Sequence, residues 1–137
     1  MSITRYLVDT NVLLRFLSGE PLAQAQATRK LFARAAGGEI ILDVSPVIVA
    51  EAFYTLHSFY GVDRKTAAGK LSLLLQQHGV KVRDASAVIA ALDRIQTANV
   101  GFADAFLAAS AAEEKCAVVS FDRDFDKLST SRYEPTA

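Results

Sequence analysis

Short continuous apolar runs alternate along this chain with stretches in which apolar residues recur every three or four positions. This pattern predicts strands interleaved with helices. Residues 5–8 form a mainly apolar run that ends at Asp9 and reads as a buried strand. A short helix from about Asn11 would carry Val12, Leu13, Phe16 and Leu17 and stop near Ser18-Gly19-Glu20-Pro21. Residues 22–36 are alanine-rich and helical, ended by Gly37-Gly38. Ile40-Ile41-Leu42 is a second strand, and Ser45-Pro46 opens a helix with proline at a favoured first-turn position. Asp63 is the expected N-cap of a helix over 64–77, and Val80-Lys81-Val82 is a third strand. Helices over 85–97 and from Phe102 to Glu113 follow, then a fourth strand at Ala117-Val118-Val119-Ser120 and an edge strand around Arg132-Tyr133-Glu134.

Strands alternating with helices imply parallel βαβ units, hence an α/β fold arranged as a three-layer α/β/α sandwich. No repeat, linker or low-complexity tract interrupts the pattern, so residues 1–137 are expected to form one domain. In such sheets ligands bind outside the carboxyl ends of the strands. Asp9 directly follows the first strand and Asp122 follows the fourth, so chain order alone puts both at that edge.

Composition narrows the class. Hydrophobic residues make up 51% of the chain, which suits a folded domain rather than disorder. Lys plus Arg equals Asp plus Glu at 15 each, so no basic excess by itself announces a nucleic-acid binder. The single cysteine, Cys116, cannot form an internal disulfide and is expected as a buried thiol in a reducing, cytoplasmic setting. No signal peptide is visible, and no apolar run approaches the ~20 residues of a membrane span.

The placement of the carboxylates is more informative. Asp9, Glu51, Asp104 and Asp122 each lie in or beside an otherwise apolar segment, where desolvating a charge is costly. Acids brought together cannot all ionise without a cation between them, so the set points to a divalent-metal site. Asp9 has an ordinary alternative as the cap of the next helix. Glu51 has Val47, Ile48, Tyr54 and Thr55 as its helical neighbours, a mostly apolar face for a glutamate. Asp104 is the only charged residue between Phe102 and Ala112, on a helix apolar nearly all round and expected to be buried. Asp122, Asp124 and Asp126 share a run that also reads as a solvated turn; Asp122 is nearest the strand, Asp124 is a second ligand candidate, and Asp126 is expected at the surface beside Lys127. Thr10, Asn11 and Ser120 would orient ligands or water. His57 and His78 lack zinc-like spacing and read as ordinary histidines. No phosphate-loop or dinucleotide-binding glycine motif is present.

Taken in order, Val8-Asp9-Thr10-Asn11-Val12-Leu13, Glu51, Phe102-Ala103-Asp104-Ala105-Phe106-Leu107-Ala108-Ala109 and Ser120-Phe121-Asp122-Arg123-Asp124-Phe125 resemble the PIN domain, the metal-dependent nuclease fold of VapC-type toxins. The resemblance runs essentially end to end, with Ser120 standing where the family commonly has threonine. It implies a parallel sheet of strand order 3-2-1-4-5 with the acids at its carboxyl edge. It also implies endoribonuclease activity, a homodimer, and a protein antitoxin whose C-terminal segment occupies the active groove. Magnesium or manganese suits an all-oxygen ligand set. Asp9 and Asp104 are the main ligands on this reading, Asp122 or Asp124 completes the site, and Glu51 binds a second ion or orients the attacking water. Arg15 and Arg123, close in sequence to these ligands, are the first candidates for RNA phosphates; Arg64, Lys65 and Arg94 read rather as solvated helix surface.

Other classes fit less well. A haloacid-dehalogenase phosphatase wants a second aspartate two positions after the first, where this chain has Asn11. A phospho-receiver domain expects an acidic pair at the first strand end and a later strand-end lysine, and neither is evident. The non-enzymatic alternative is a catalytically silent PIN-like module that binds RNA or regulates, although all four acids are retained.

Overall fold

A computed structural model describes residues 3–137. Strands β1 (Thr4–Leu7), β2 (Ile40–Val44), β3 (Val80–Val82), β4 (Val118–Val119) and β5 (Arg132–Tyr133) alternate with helices. These are α1 (Thr10–Ser18), α2 (Leu22–Ala36), α3 (Pro46–Ser58), α4 (Arg64–Leu75), α5 (Ala85–Ile95) and α6 (Phe102–Glu114), with a 3₁₀ helix at Arg123–Leu128. The α/β class and the parallel strands agree with the sequence pattern. Local chemistry explains several boundaries. Gly19 ends α1 in the left-handed conformation (φ 76°), with its amide donating to the Arg15 carbonyl. The Ser45 hydroxyl accepts from the Ile48 amide ahead of Pro46, and the Asp63 carboxylate accepts from the Thr66 amide at 3.1 Å. Hydrogen bonding from Thr66, first from its side chain and then from its amide, holds the Asp63 carboxyl below its ordinary value.

The strands form two hydrogen-bonded pieces where the family resemblance implies one sheet. β1-β2-β3 pair in parallel in that order, and β4 pairs in parallel with β5. Order within each piece matches 3-2-1 and 4-5, but no ladder joins β1 to β4 among the described residues. The amides of Val118 and Ser120 donate to Ser131 and Tyr133, so one edge of β4 is satisfied by β5. Because it pairs only with β2 among the described residues, β1 is an edge strand. All four of its residues are exposed, where a buried strand was expected, and only the following Val8 is buried.

Alternation along β2 puts Ile40, Leu42 and Val44 on one face, where they are 2%, 0% and 0% exposed. A single apolar cluster joins them to Leu13 and Leu14 of α1, Phe32 of α2, Val49, Phe53 and Leu56 of α3, Leu71 of α4, Leu92 of α5 and Phe102 of α6. Phe125 and Leu128 join it too, so the 3₁₀ helix at Arg123–Leu128 is anchored by two apolar side chains, while Asp122, Asp124 and Asp126 stay exposed as a solvated turn would leave them. The opposite face of the sheet carries Arg5, Leu7, Asp43, Lys81 and Arg83, with Asp43 the one buried member. Two further expectations change. Cys116 is exposed, just past the end of α6, and α6 buries Phe102, Ala105, Ala108 and Ala111 while Leu107 is exposed.

Candidate active site

Asp9 sits where chain order put it, at the carboxyl end of β1 and at the N-cap position of α1. Its backbone is extended (φ −82°, ψ 154°), but its side chain makes no capping bond, so helix capping does not occupy the carboxylate. It is exposed and lines two neighbouring clefts. One, of about 310 Å³, is bounded by Tyr6, Leu7, Val12, Leu31 and Arg34; the other, of about 380 Å³, by Asp43, Ser45, Ile48 and Arg83.

Asp104 lies in the first turn of α6 and is half-buried. Its carboxyl is held above the ordinary carboxylate value by burial, then by the charges of Asp122 and, less strongly, Asp124. The charges of Asp122 and Asp124 therefore reach Asp104. The 3₁₀ helix positions the second and third: the Asp122 amide donates to Ser120 Oγ at 2.9 Å, and Asp122 Oδ1 accepts from the Asp124 amide at 2.8 Å. The Ser120 hydroxyl thus orients the backbone that carries Asp122. Asp124 also pairs with Lys127 at 3.4 Å, while Asp126 pairs with Arg132 at 3.2 Å rather than with the adjacent lysine. Arg132, shared between Glu134 and Asp126, has its pKa raised by both.

The remaining candidates are more dispersed. Glu51 is exposed on α3, and the apolar neighbours that made it notable, Val47 and Tyr54, are themselves 72% and 69% exposed. An apolar face here does not mean a desolvated one. Thr10 is buried with its hydroxyl unpaired; Asn11 and Arg15 line a groove toward α2, where Arg15 Nε donates to Gln24 at 2.8 Å. Arg123 is exposed on the 3₁₀ helix. Among the described residues, no three Asp, Glu, His or Cys side chains form a ready-made metal cage. The donor chemistry of Asp104 with Asp122 and Asp124 nevertheless fits a hard divalent cation. All the donors are oxygens, the mutual repulsion would be relieved by positive charge, and magnesium needs few protein ligands.

One buried acid escaped the sequence reading. Asp43, inside Ile-Ile-Leu-Asp-Val, is only 7% exposed. Arg5 donates to its Oδ2, and Arg83 Nε lies 3.8 Å from its Oδ1. Leu7 and Lys81 stand directly opposite Asp43 in the ladders, so the two arginines approach from the diagonal positions. The signal was available: an acid within an apolar strand run meets the criterion that picked out Asp9.

Among solved structures, the chain is similar to the crystal structure of VapBC2 from Rickettsia felis bound to a DNA fragment from their promoter. The two share 15% identity over 96% of this chain and 98% of that one, with a TM-score of 0.40. Comparison with curated proteins returns no match. The model of the PIN domain family matches residues 6–130. On that match, which takes in Asp9, Glu51, Asp104, Asp122 and Asp124, the chain belongs to the PIN domain family.

Proposed function

We propose that this chain is a divalent-metal-dependent endoribonuclease, the cytoplasmic toxin of a toxin–antitoxin pair. The observation that carries the reading is the half-buried Asp104 at the start of α6, within reach of the charges of Asp122 and Asp124, in a chain of PIN family membership. Asp104 is the central ligand, with Asp122 and Asp124 beside it and Asp9 contributed from the end of β1. Magnesium or manganese is the ion, and the chemistry it supplies when bound is Lewis acidity toward water and phosphate oxygen. Glu51 positions the attacking water or a second ion. Thr10, Asn11 and Ser120 orient ligands or water, and Arg15 and Arg123 meet RNA phosphates. A homodimer, and an antitoxin segment seated in the active groove, complete the proposal. Membrane insertion is no part of it; no described helix is long and apolar enough to cross a membrane.

A metal-independent RNA-binding module is the second reading. It is favoured by the absence of a three-acid cage among the described residues and by the exposure of Glu51.

Cleavage of a panel of structured and single-stranded RNAs by purified protein separates the two. The nuclease reading expects cutting with magnesium or manganese, none with chelator, and loss of at least about a hundredfold in rate for Asp104→Asn, as for removal of a group that stabilises transition-state charge. Equal cutting by Asp104→Asn would remove that residue from the site. Binding without cutting under every metal condition would favour the module.

A further inference from the structure

A cavity of about 490 Å³ opens between α3 and the start of α6, lined by Phe53, Tyr54, His57, Arg64 and Phe102 among others. Its chemistry is uneven in a telling way. Phe53 and Phe102 are each 4% exposed, with ring centroids 6.5 Å apart, and supply an aromatic floor. Tyr54 is 69% exposed and forms a wall that no protein group covers. The polar groups at the rim are held in place. His57 Nδ1 lies 2.9 Å from the Val62 carbonyl, which can only accept, so Nδ1 carries the proton and Nε2 is the acceptor of the neutral ring. Arg64 Nη1 donates to Asn99 Oδ1 at 2.7 Å, which steadies the guanidinium and leaves its other N–H groups without partners among the described residues. Gly101, the N-cap of α6, brings no side-chain cap, so the first amides of a 13-residue helix also face this end.

The position matters as much as the lining. Gly101, Phe102 and Ala103 immediately precede Asp104, and Tyr54 lies one helical turn beyond Glu51. We infer that this cavity is a subsite for one unpaired nucleobase of a single-stranded RNA, the base stacking on Tyr54 and the adjoining phosphate meeting Arg64. Unstacked bases are recognised by aromatic faces together with hydrogen-bond groups on their edges, and a guanidinium complements the phosphate. A volume of this size accommodates a base with part of its ribose. The subsite rests on the nuclease reading and adds to it the residues that hold one base and its phosphate.

The test is binding of a short single-stranded RNA oligomer, of the same oligomer containing an abasic position, and of its duplex, with cleavage suspended by chelator. Wild-type protein should bind the single strand more tightly than the abasic oligomer or the duplex. Tyr54→Ala should lower single-strand affinity about tenfold while binding the abasic oligomer almost as wild type does. Tyr54→Phe should retain wild-type affinity. Arg64→Gln should reduce the slope of log affinity against log salt by about 0.7, the share of one phosphate on a single strand. Wild-type affinity in Tyr54→Ala, or equal affinity for single strand and duplex, overturns the subsite. So does a Tyr54→Ala variant whose RNA binding is intact but whose oligomeric state changes in sedimentation, because the face would then belong to a protein contact. The nuclease reading fails separately. Binding that depends on Tyr54 and Arg64, without metal-dependent cutting, leaves the subsite standing alone; cutting indifferent to Tyr54 in both affinity and KM leaves the nuclease standing alone.

Discussion

At the level of single residues, charge burial separates the acids more sharply than their positions in the chain do. Asp104 is half-buried and raised in pKa, so between its unfolded and folded values the folded state holds a proton that the unfolded chain has already released. Its contribution to stability is therefore favourable below the unfolded carboxylate value and is lost as pH rises through the folded one. Asp104→Asn should raise the thermal midpoint at neutral pH in the absence of divalent ions. That gain should vanish well below the ordinary aspartate value of about 4, where the carboxyl is protonated in both states; midpoints measured across pH check the sign. At Asp43 the carboxylate is buried while Arg5 and Arg83 keep side-chain exposures of 57% and 58%. Removing an arginine strands a buried acceptor, whereas removing the acid frees cations that water can reach. Arg5→Met should cost about 1–3 kcal/mol in urea unfolding, and Asp43→Asn less. The opposite order would mean that Asp43 anchors something other than these two arginines.

Among the elements, agreement with the sequence pattern is closest where a local device sets the boundary. Helix α2 spans the predicted 22–36, Ser45 and Asp63 cap α3 and α4, and Gly19 stops α1. These devices involve a few consecutive residues, so periodicity and capping chemistry reveal them. The 3₁₀ helix was hidden because its apolar anchors, Phe125 and Leu128, are sparse in an acidic run and acquire meaning only from the core they enter. Gly79 makes a similar point before β3. Its φ is +87°, and a Cβ there would lie 2.2 Å from the Ala35 carbonyl oxygen at the end of α2. Its own carbonyl accepts from the Leu42 amide at 2.9 Å, which ties the turn to β2. Gly79→Ala should therefore destabilise by at least about 1–3 kcal/mol, combining left-handed strain with a backbone clash, as read from denaturant midpoints at unchanged m-value.

Over the whole molecule, the division of the strands into β1-β2-β3 and β4-β5 distributes the candidate ligands. Asp9 belongs to the first piece; Asp122 and Asp124 follow β4 in the second, close enough to act on Asp104. Tyr6 and Leu7 on one side, and Val119 and Phe121 on the other, are left exposed beside the strand edges. If the ion is held chiefly by Asp104 and its two neighbours, saturating magnesium or manganese should raise the midpoint of wild-type protein. Mass action gives about 2.7 kcal/mol at a hundredfold excess over Kd. Asp104→Asn should lose this shift, and Asp9→Asn should keep part of it. Equal loss in both variants would mean that the ion draws Asp9 into the same site.

The sequence by itself determined the alternation of elements, most of their boundaries, the ordered acids of the PIN family and the strand-end positions of Asp9 and Asp122. These follow from interactions within a few residues: apolar periodicity, caps, glycines and the chain order of strand and helix. Only the tertiary structure decided which acids share an electrostatic environment, that Glu51 and Cys116 face solvent, that β1 is an exposed edge, and that Asp43 is buried between Arg5 and Arg83. Burial and charge coupling depend on which distant segments meet; Arg5 and Asp43 are 38 residues apart. An apolar neighbourhood in sequence becomes a dry one only when another element packs over it. For α3 around Glu51, none does.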